Sequence, residues 1–331
     1  MNHPILSICV AGAGAIGCTL ATRLVESGQR VSVLARGETL ATIRRDGIVL
    51  NDLDGHHHIQ VKASADATEL GPQELIFLCT KAPALGELLH QVQPMIGPNT
   101  MVVPVVNGVP WWYFRGEGGR FADSQVLAVD PHGQLDAALD WHRIIGCVVF
   151  MTASNTATAM VESQTRHLMI VGELDNSLSP RLESLRQVIE ATGIEARATA
   201  QIRDHLWTKI IINITSNPLS VVTGATLEQI YGLPELRQVV SSILHETLLT
   251  AAAHGARVKI DPQTFFELGT SLGAVRTSML QDYDKGRPLE LAAIGDAVIE
   301  LADQMSIPMP TTRNIIDLAR FRGQQMSRGK K

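Results

Sequence analysis

Short, continuous apolar runs that end in polar residues dominate the first two hundred residues. Leu75–Thr80 and Met101–Val106 are typical of interior strands in a parallel sheet that is covered on both faces. Val148–Thr152 and His167–Val171 are predicted to be further strands. Two further short runs flank the turn-rich Asn51–Gly55 and predict a hairpin. The pattern therefore predicts an α/β domain.

The periodicity changes near Gln201, after which helical spacing dominates. The segments predicted as helices are Gln201–Ile214, Pro234–His254, Pro262–Gly273, Leu289–Met305 and Thr311–Arg322. We therefore predict two domains, residues 1–199 and 200–331, with the boundary near 196–202 and an all-helical second domain.

Composition and charge exclude several classes of partner. The 331 residues are 45% hydrophobic, which is enough for ample cores, and the net charge of −5 makes nucleic acid an unexpected partner. The basic residues 328–331 are expected to form a solvated tail. No signal peptide or membrane-length apolar run is present, so we expect a cytoplasmic protein without a membrane partner.

Cysteine and histidine usage fits the same picture. The four cysteines lack C-x-x-C spacing and are expected to be reduced core thiols. The run His56-His57-His58 alternates between the two faces of a strand, so its members cannot share one metal ion. We therefore predict no metal site.

A glycine-rich turn follows the first predicted strand. Its residues are Gly12, Ala13, Gly14, Ala15, Ile16 and Gly17, and a helical pattern follows directly. In this G-x-G-x-x-G context Gly12 permits the tight turn, Gly14 leaves room for a pyrophosphate, and Gly17 lets helix and strand pack closely. The helix N-terminus offers N–H groups to the anion. The sequence thus predicts a Rossmann-type dinucleotide-binding domain.

The second strand indicates which dinucleotide binds. An NAD site usually has an acidic residue at the end of this strand, whereas here Arg36 occupies that region and the first carboxylate is Glu38. A guanidinium pairs well with a 2′-phosphate, which favours NADPH. Lys81 and Asn107 follow the next two predicted strands and are expected to line the cofactor.

The second half contains a polar stripe in apolar surroundings. Lys209, Asn213 and Asn217 share one helix face at i, i+4 and i+8, and Pro218 should kink or end that helix nearby. Buried amides need hydrogen-bond partners, which a polar ligand can provide. Taken alone, Ser278 has no assigned role, and Glu290 is expected to serve as a structural cap.

Together these residues form an ordered set that resembles the ketopantoate reductase family nearly end to end. The set comprises the glycine loop, Arg36, Lys81, Asn107-Gly108, Lys209-x-x-x-Asn213-x-x-x-Asn217, and Ser278-Met279-Leu280-Gln281-Asp282 with Glu290. The resemblance implies NADPH-dependent reduction of a 2-keto acid to a 2-hydroxy acid, with 2-dehydropantoate as the leading substrate and pantothenate biosynthesis as the context.

The resemblance also implies roles for individual residues. Lys209 would be the proton donor, and Asn213, Asn217 and Ser278 would hold the substrate. Asn107 and Glu290 would meet cofactor or substrate near the reaction centre, Glu290 as a second catalytic residue.

Three features depart from the family pattern. Val275 and Leu227 stand where asparagines are often found, and an aromatic cluster, Trp111–Phe114, follows Asn107-Gly108. The aromatic rings either fill a groove or line the substrate pocket. Two alternatives stay open, a reductase of a bulkier or more apolar 2-keto acid and a non-catalytic NADP(H)-sensing protein. A homodimer is also kept open.

Overall fold

A computed structural model describes residues 4–328, which pack into two units. The first contains residues 4–106, 114–124 and 133–202, and the second contains 107–113, 125–132 and 203–328. The predicted division at residues 199 and 200 stays a prediction. Most of the predicted basic tail, residues 329–331, lies outside the described residues.

The first unit is α/β, as predicted. Its strands are β1 (Ser7–Ala11), β2 (Arg30–Leu34), β3 (Ile48–Asp52), β4 (Gly55–Ile59), β5 (Lys62–Ser64), β6 (Gln73–Leu78), β7 (Ile96–Pro104), β8 (Ile145–Phe150), β9 (Ala153–Ala157), β10 (Met160–Ser163), β11 (Leu168–Glu173) and β12 (Glu195–Ala198). Its helices are α1 (Ala15–Glu26), α2 (Gly37–Asp46), α3 (Leu85–Val92), α4 (Gln134–Ala138) and α5 (Pro180–Glu190).

A five-stranded parallel sheet positions the glycine loop. The strand order is β5-β2-β1-β6-β7, so β1 is central, and its register pairs Cys9 with Ser32 of β2 and Ile76 of β6. Ile8, Val10 and Phe77 are fully buried, which explains why these strands are continuously apolar. The order reverses at β1, and ligands of open α/β sheets bind at such switch points.

Two smaller sheets complete this unit. One has the order β4-β3-β10-β9, and its antiparallel β3–β4 pair confirms the predicted hairpin. The other has the order β12-β11-β8. All four cysteines are free and buried, as expected, and burial raises the pKa of Cys9, Cys18 and Cys147 to about 12.

The second unit is helical. Its helices are α6 (Ile202–Thr223), α7 (Leu227–Gly232), α8 (Pro234–Ala253), α9 (Pro262–Ser271), α10 (Ser278–Lys285), α11 (Ala297–Gln304) and α12 (Pro310–Arg328), with a π-helical turn, Ala292–Asp296, before α11. A core of Leu219, Ile230, Tyr231, Val240 and Phe266 joins α6 to α9. Among residues 4–328, the helices lack a segment both long and apolar enough to cross a membrane.

The expectation that Pro218 kinks or ends its helix was wrong about the end, because α6 continues to Thr223. A proline removes one backbone donor, here the one that would bond to the carbonyl of Ile214. The next residues along the helix are buried: Leu219 is 2% exposed, and Ser220 and Val221 are fully buried. Tertiary packing therefore stabilises the last turn against the lost hydrogen bond.

A buried carboxylate on α8 holds the start of α12. Glu246 accepts hydrogen bonds from the backbone N–H groups of Thr311 and Thr312, at 3.0 and 2.9 Å, and from the Thr312 hydroxyl at 2.6 Å. A negative charge at this position also interacts favourably with the helix dipole.

We expect Glu246→Gln to lower the free energy of unfolding by about 2 kcal/mol, since hydrogen bonds to charged groups contribute roughly 1.5–3 kcal/mol. Urea denaturation measures the change. Glu267→Gln, at an exposed position of α9, is the matched control and should have little effect. Equal losses in the two variants would show that the cap contributes nothing specific.

Candidate active site

The glycine loop has the geometry that a dinucleotide requires. Gly12 has φ +107°, and a Cβ there would lie 2.3 Å from the carbonyl oxygen of Cys79. A Cβ on Gly17 would lie 1.9 Å from the carbonyl oxygen of Gly12. Both positions must therefore be glycine for the protein's own packing.

Gly14 is different, because a Cβ there would meet no atom of the described chain within 4 Å. It is exposed, it precedes α1, and its side chain cannot cap the helix. The first turn of α1, which begins Ala15-Ile16-Gly17, has no acidic residue. Open space beside an uncapped helix N-terminus fits a pyrophosphate, so the residues present fit the cofactor.

Arg36 lies two residues after β2, as predicted, but it is not isolated. Its guanidinium forms an ion pair with Glu87 of α3, and both side chains are more than half exposed. Local sequence patterns contain no signal for this partner, because Glu87 is 51 residues away on another helix. Lys81 is exposed and lies three residues after β6, at the carboxyl edge of the sheet.

The polar stripe of α6 is present in the second unit. Asn213 is 8% exposed and Asn217 is 3% exposed, and Lys209 lies one turn before Asn213. Burial lowers the pKa of the Lys209 ammonium to about 8. Within the described residues, the Asn213 Nδ2 group is buried without a hydrogen-bond partner. A buried amide donor left in this state is costly unless a ligand accepts from it.

The second asparagine links α6 to the start of α10. The Oδ1 atom of Asn217 accepts from the backbone N–H of Met279 at 3.4 Å, and the hydroxyls of Ser220 and Thr277 lie 2.6 Å apart. Thr277 also caps α10 by accepting from the N–H of Leu280. Exposed Ser278, the first residue of α10, is thereby held beside the stripe.

Asn107 and Glu290 each lie a few residues from a backbone hydrogen bond between Val109 and Ala293. Glu290 is 5% exposed and directly precedes the helical segment that contains the π-helical turn; its carbonyl oxygen accepts from the N–H of Ile294. Asn107 follows β7 by three residues but belongs to the helical unit, where the N–H of Val109 donates to the carbonyl oxygen of Ala293. The sequence analysis did not predict the π-helical turn, because one extra residue in a helix does not visibly change the spacing of its apolar residues.

The aromatic cluster is buried. Its four rings are between 1% and 4% exposed, and the Tyr113 hydroxyl accepts from Trp207 Nε1 at 2.7 Å. The Tyr113 ring also packs edge-on against His254. These contacts favour the packing alternative for Tyr113.

The family descriptions "Ketopantoate reductase PanE/ApbA" and "Ketopantoate reductase PanE/ApbA C terminal" match residues 8–176 and 201–323. The chain belongs to the ketopantoate reductase family. This family member is 34% identical, over 316 residues, to a 2-dehydropantoate 2-reductase from Mesorhizobium japonicum, which covers 95% of this chain and 97% of the relative. It is therefore an oxidoreductase that uses a nicotinamide dinucleotide.

Solved structures agree with this assignment. A structure from Ralstonia solanacearum MolK2 has a TM-score of 0.92 at 33% identity, covering 97% of this chain and 99% of the other. The structure of D-mandelate dehydrogenase with NADH and anilino(oxo)acetate has a TM-score of 0.82, covering 96% and 98% of the two chains. At 19% identity this second likeness shows a shared fold alone.

Proposed function

We propose that this reductase converts a 2-keto acid into a 2-hydroxy acid with NADPH, and that 2-dehydropantoate is its substrate. The observation that carries the proposal is the buried polar face of α6. It presents an ammonium whose pKa is lowered to about 8 one turn away from a buried amide that lacks a partner among residues 4–328. Such a face suits an anionic substrate with a reactive carbonyl.

The chemistry follows from the charge that develops on the substrate. NADPH, when bound, would supply a hydride to the carbonyl carbon and would be oxidised to NADP⁺. The carbonyl oxygen gains negative charge, which the Lys209 ammonium stabilises before it transfers a proton to that oxygen. The products are the hydroxy acid and a neutral lysine, which regains its proton from solvent. A pKa near 8 keeps the lysine mostly protonated at neutral pH, yet makes it a better acid than a solvated lysine.

The remaining polar groups would orient the substrate. Asn213, Asn217 and Ser278 are assigned to the keto acid, whose carboxylate can accept from amide and hydroxyl donors. Asn107 and buried Glu290 are assigned to the reaction centre, in contact with cofactor or substrate. Gly12–Gly17, Arg36 and Lys81 are assigned to the dinucleotide. The free buried cysteines support a cytoplasmic location, and a homodimer stays a proposal for the assembly.

A second candidate substrate is a 2-keto acid with a larger apolar substituent. The two apolar departures from the family pattern are neighbours, since the N–H of Leu227 donates to the carbonyl oxygen of Val275 at 2.9 Å. Val275 is 40% exposed and lies two residues before the cap of α10. An apolar pair beside Ser278 would favour an apolar substituent over a hydroxyl-bearing one.

For the proton donor, we expect kcat/KM for keto-acid reduction to fall as pH rises through about 8, because the reaction needs the protonated form of Lys209 in the free enzyme. Lys209→Ala should lower kcat by at least about 10²-fold, the lower range for a general acid. Steady-state rates between pH 6 and 10 test both statements. An alanine variant with wild-type kcat would contradict the assignment, and turnover that depends on Lys209 would exclude a non-catalytic NADP(H) sensor.

For the cofactor, we expect Arg36→Ala to weaken NADPH binding by roughly 1.5–3 kcal/mol, the range for hydrogen bonds to charged groups, while NADH binding stays nearly constant. Glu87→Gln should strengthen NADPH binding, because it removes a negative charge that competes with the 2′-phosphate for Arg36. Fluorescence titration with both cofactors measures the constants. Parallel changes for NADPH and NADH would show that Arg36 does not bind the 2′-phosphate.

For the substrate, a panel of 2-keto acids with branched, aromatic and hydroxyl-bearing substituents should rank 2-dehydropantoate first. Val275→Asn should raise kcat/KM for 2-dehydropantoate relative to apolar keto acids, by roughly 10-fold to 200-fold if the substituent contacts this residue. Leu318→Asn, at an exposed position of α12, is the control and should leave the ranking unchanged. A wild-type preference for apolar keto acids would instead establish the second candidate.

A further inference from the structure

The π-helical turn Ala292–Asp296 frees a backbone carbonyl for an outside partner. The N–H of Ala297 bonds to the carbonyl oxygen of Ala292, five residues back, instead of to that of Ala293. The carbonyl oxygen of Ala293 accepts from the N–H of Val109 at 2.8 Å. Turns of this kind inside helices are rare and are frequent at functional sites.

Gly108 makes this contact possible. Its φ is +87°, and a Cβ at this position would lie 2.4 Å from the carbonyl oxygen and 2.8 Å from the Cβ of Ala293. The atoms that a side chain would meet are the backbone and Cβ atoms of buried Ala293, which cannot move away by a change of rotamer. Backbone therefore meets backbone only because residue 108 is glycine.

Both partners in the contact are held from elsewhere in the second unit. The segment 107–113 is fixed at its far end, where the carbonyl oxygen of Tyr113 accepts from Arg203 Nε at 2.8 Å. The π-helical turn is packed against α12, because a Cβ on Gly295 would lie 2.4 Å from Cδ1 of Ile316. Because both segments are held, a side chain at position 108 would displace the residues next to the contact.

We propose that Gly108 is a positioning residue that sets Asn107 against the helical segment that follows Glu290, through the carbonyl oxygen of Ala293. Asn107 lies one residue before Gly108, and Glu290 lies three residues before Ala293, so this backbone contact sets where Asn107 lies relative to the segment that contains Glu290. This inference rests on the proposed function, because it assigns Gly108 a role through Asn107.

The first experiment compares Gly108→Ala with Gly255→Ala. Gly255 has a similar φ of +82° but no described atom within 4 Å of its Cβ position, so both variants carry the same backbone strain and only the first displaces Ala293. Hydrogen exchange of the peptide 107–113 should accelerate in Gly108→Ala and not in Gly255→Ala, since Val109 loses its acceptor. Unchanged exchange in Gly108→Ala would overturn the proposal whatever the activity.

The second experiment measures kinetics. Gly108→Ala should lower kcat/KM by about 10²-fold, the effect of a misplacement near 1 Å, whereas Gly255→Ala keeps wild-type values. In an Asn107→Ala background, Gly108→Ala should cause little additional loss, because residues acting through one another are not additive. The positioning role would be overturned if the double variant lost kcat/KM by the product of the two single-variant factors. It would also be overturned by an Asn107→Ala variant with wild-type kinetics.

A milder variant covers a failure of Gly108→Ala to fold. Ala293→Gly removes a single methyl group and loosens the π-helical turn, so it should lower kcat/KM in the same direction by a smaller factor, again only when Asn107 is present. Wild-type kinetics in Ala293→Gly would overturn the proposal. If the wild-type enzyme reduces none of the 2-keto acids, the proposed function is refuted. The difference in hydrogen exchange between Gly108→Ala and Gly255→Ala is still expected in that case.

Discussion

Desolvation of polar groups on α6 is the constraint on which the rest of the site depends. An ammonium and two amides are placed on a helix that also carries fully buried residues, such as Trp207 and Ile211. The surroundings lower the pKa of Lys209 to about 8, and they leave the Asn213 amide without a partner in the described part of the chain. These are unfavourable features for folding alone. They become favourable when an anionic, carbonyl-bearing ligand accepts from the Asn213 amide and lies near the Lys209 ammonium, because the same low polarity strengthens each interaction with the ligand.

The part of α6 that follows Asn213 is joined to the start of α10. The Oδ1 atom of Asn217 accepts from the backbone N–H of Met279, and the hydroxyls of Ser220 and Thr277 form a second link. The burial of Leu219 to Val221 carries α6 past its internal proline. Among the polar side chains of this face of α6, the buried donor without a partner in the described part of the chain is Asn213 Nδ2. A rigid frame around a few costly polar groups is the arrangement that binding sites need.

Much of this could be predicted from sequence because it depends on local chemistry. The glycine loop and the shared face of Lys209, Asn213 and Asn217 follow from fixed spacings along the chain, and the parallel strands follow from continuous apolar runs. Three features could not. The continuation of α6 through Pro218 depends on tertiary burial, which outweighs local preference. The Glu87 partner of Arg36 is distant in sequence. The carbonyl oxygen that the π-helical turn frees accepts from the N–H of Val109, which is distant in sequence, so local spacing gives no sign of it.

The packing of Asn107 depends on contacts that sequence order does not show. The strand β7 ends at Pro104, and a parallel-sheet rule assigns the residues just after a strand to the sheet's ligand. Yet residues 107–113 and 125–132 pack with the helices, where the Glu300 carboxylate accepts from the backbone N–H groups of Leu127 and Ala128. A helical fragment beginning at residue 200 would thus lose Asn107 and leave the carbonyl of Ala293 and the Glu300 carboxylate without these donors. The helical unit is complete only with the two stretches that the chain contributes between β7 and β8.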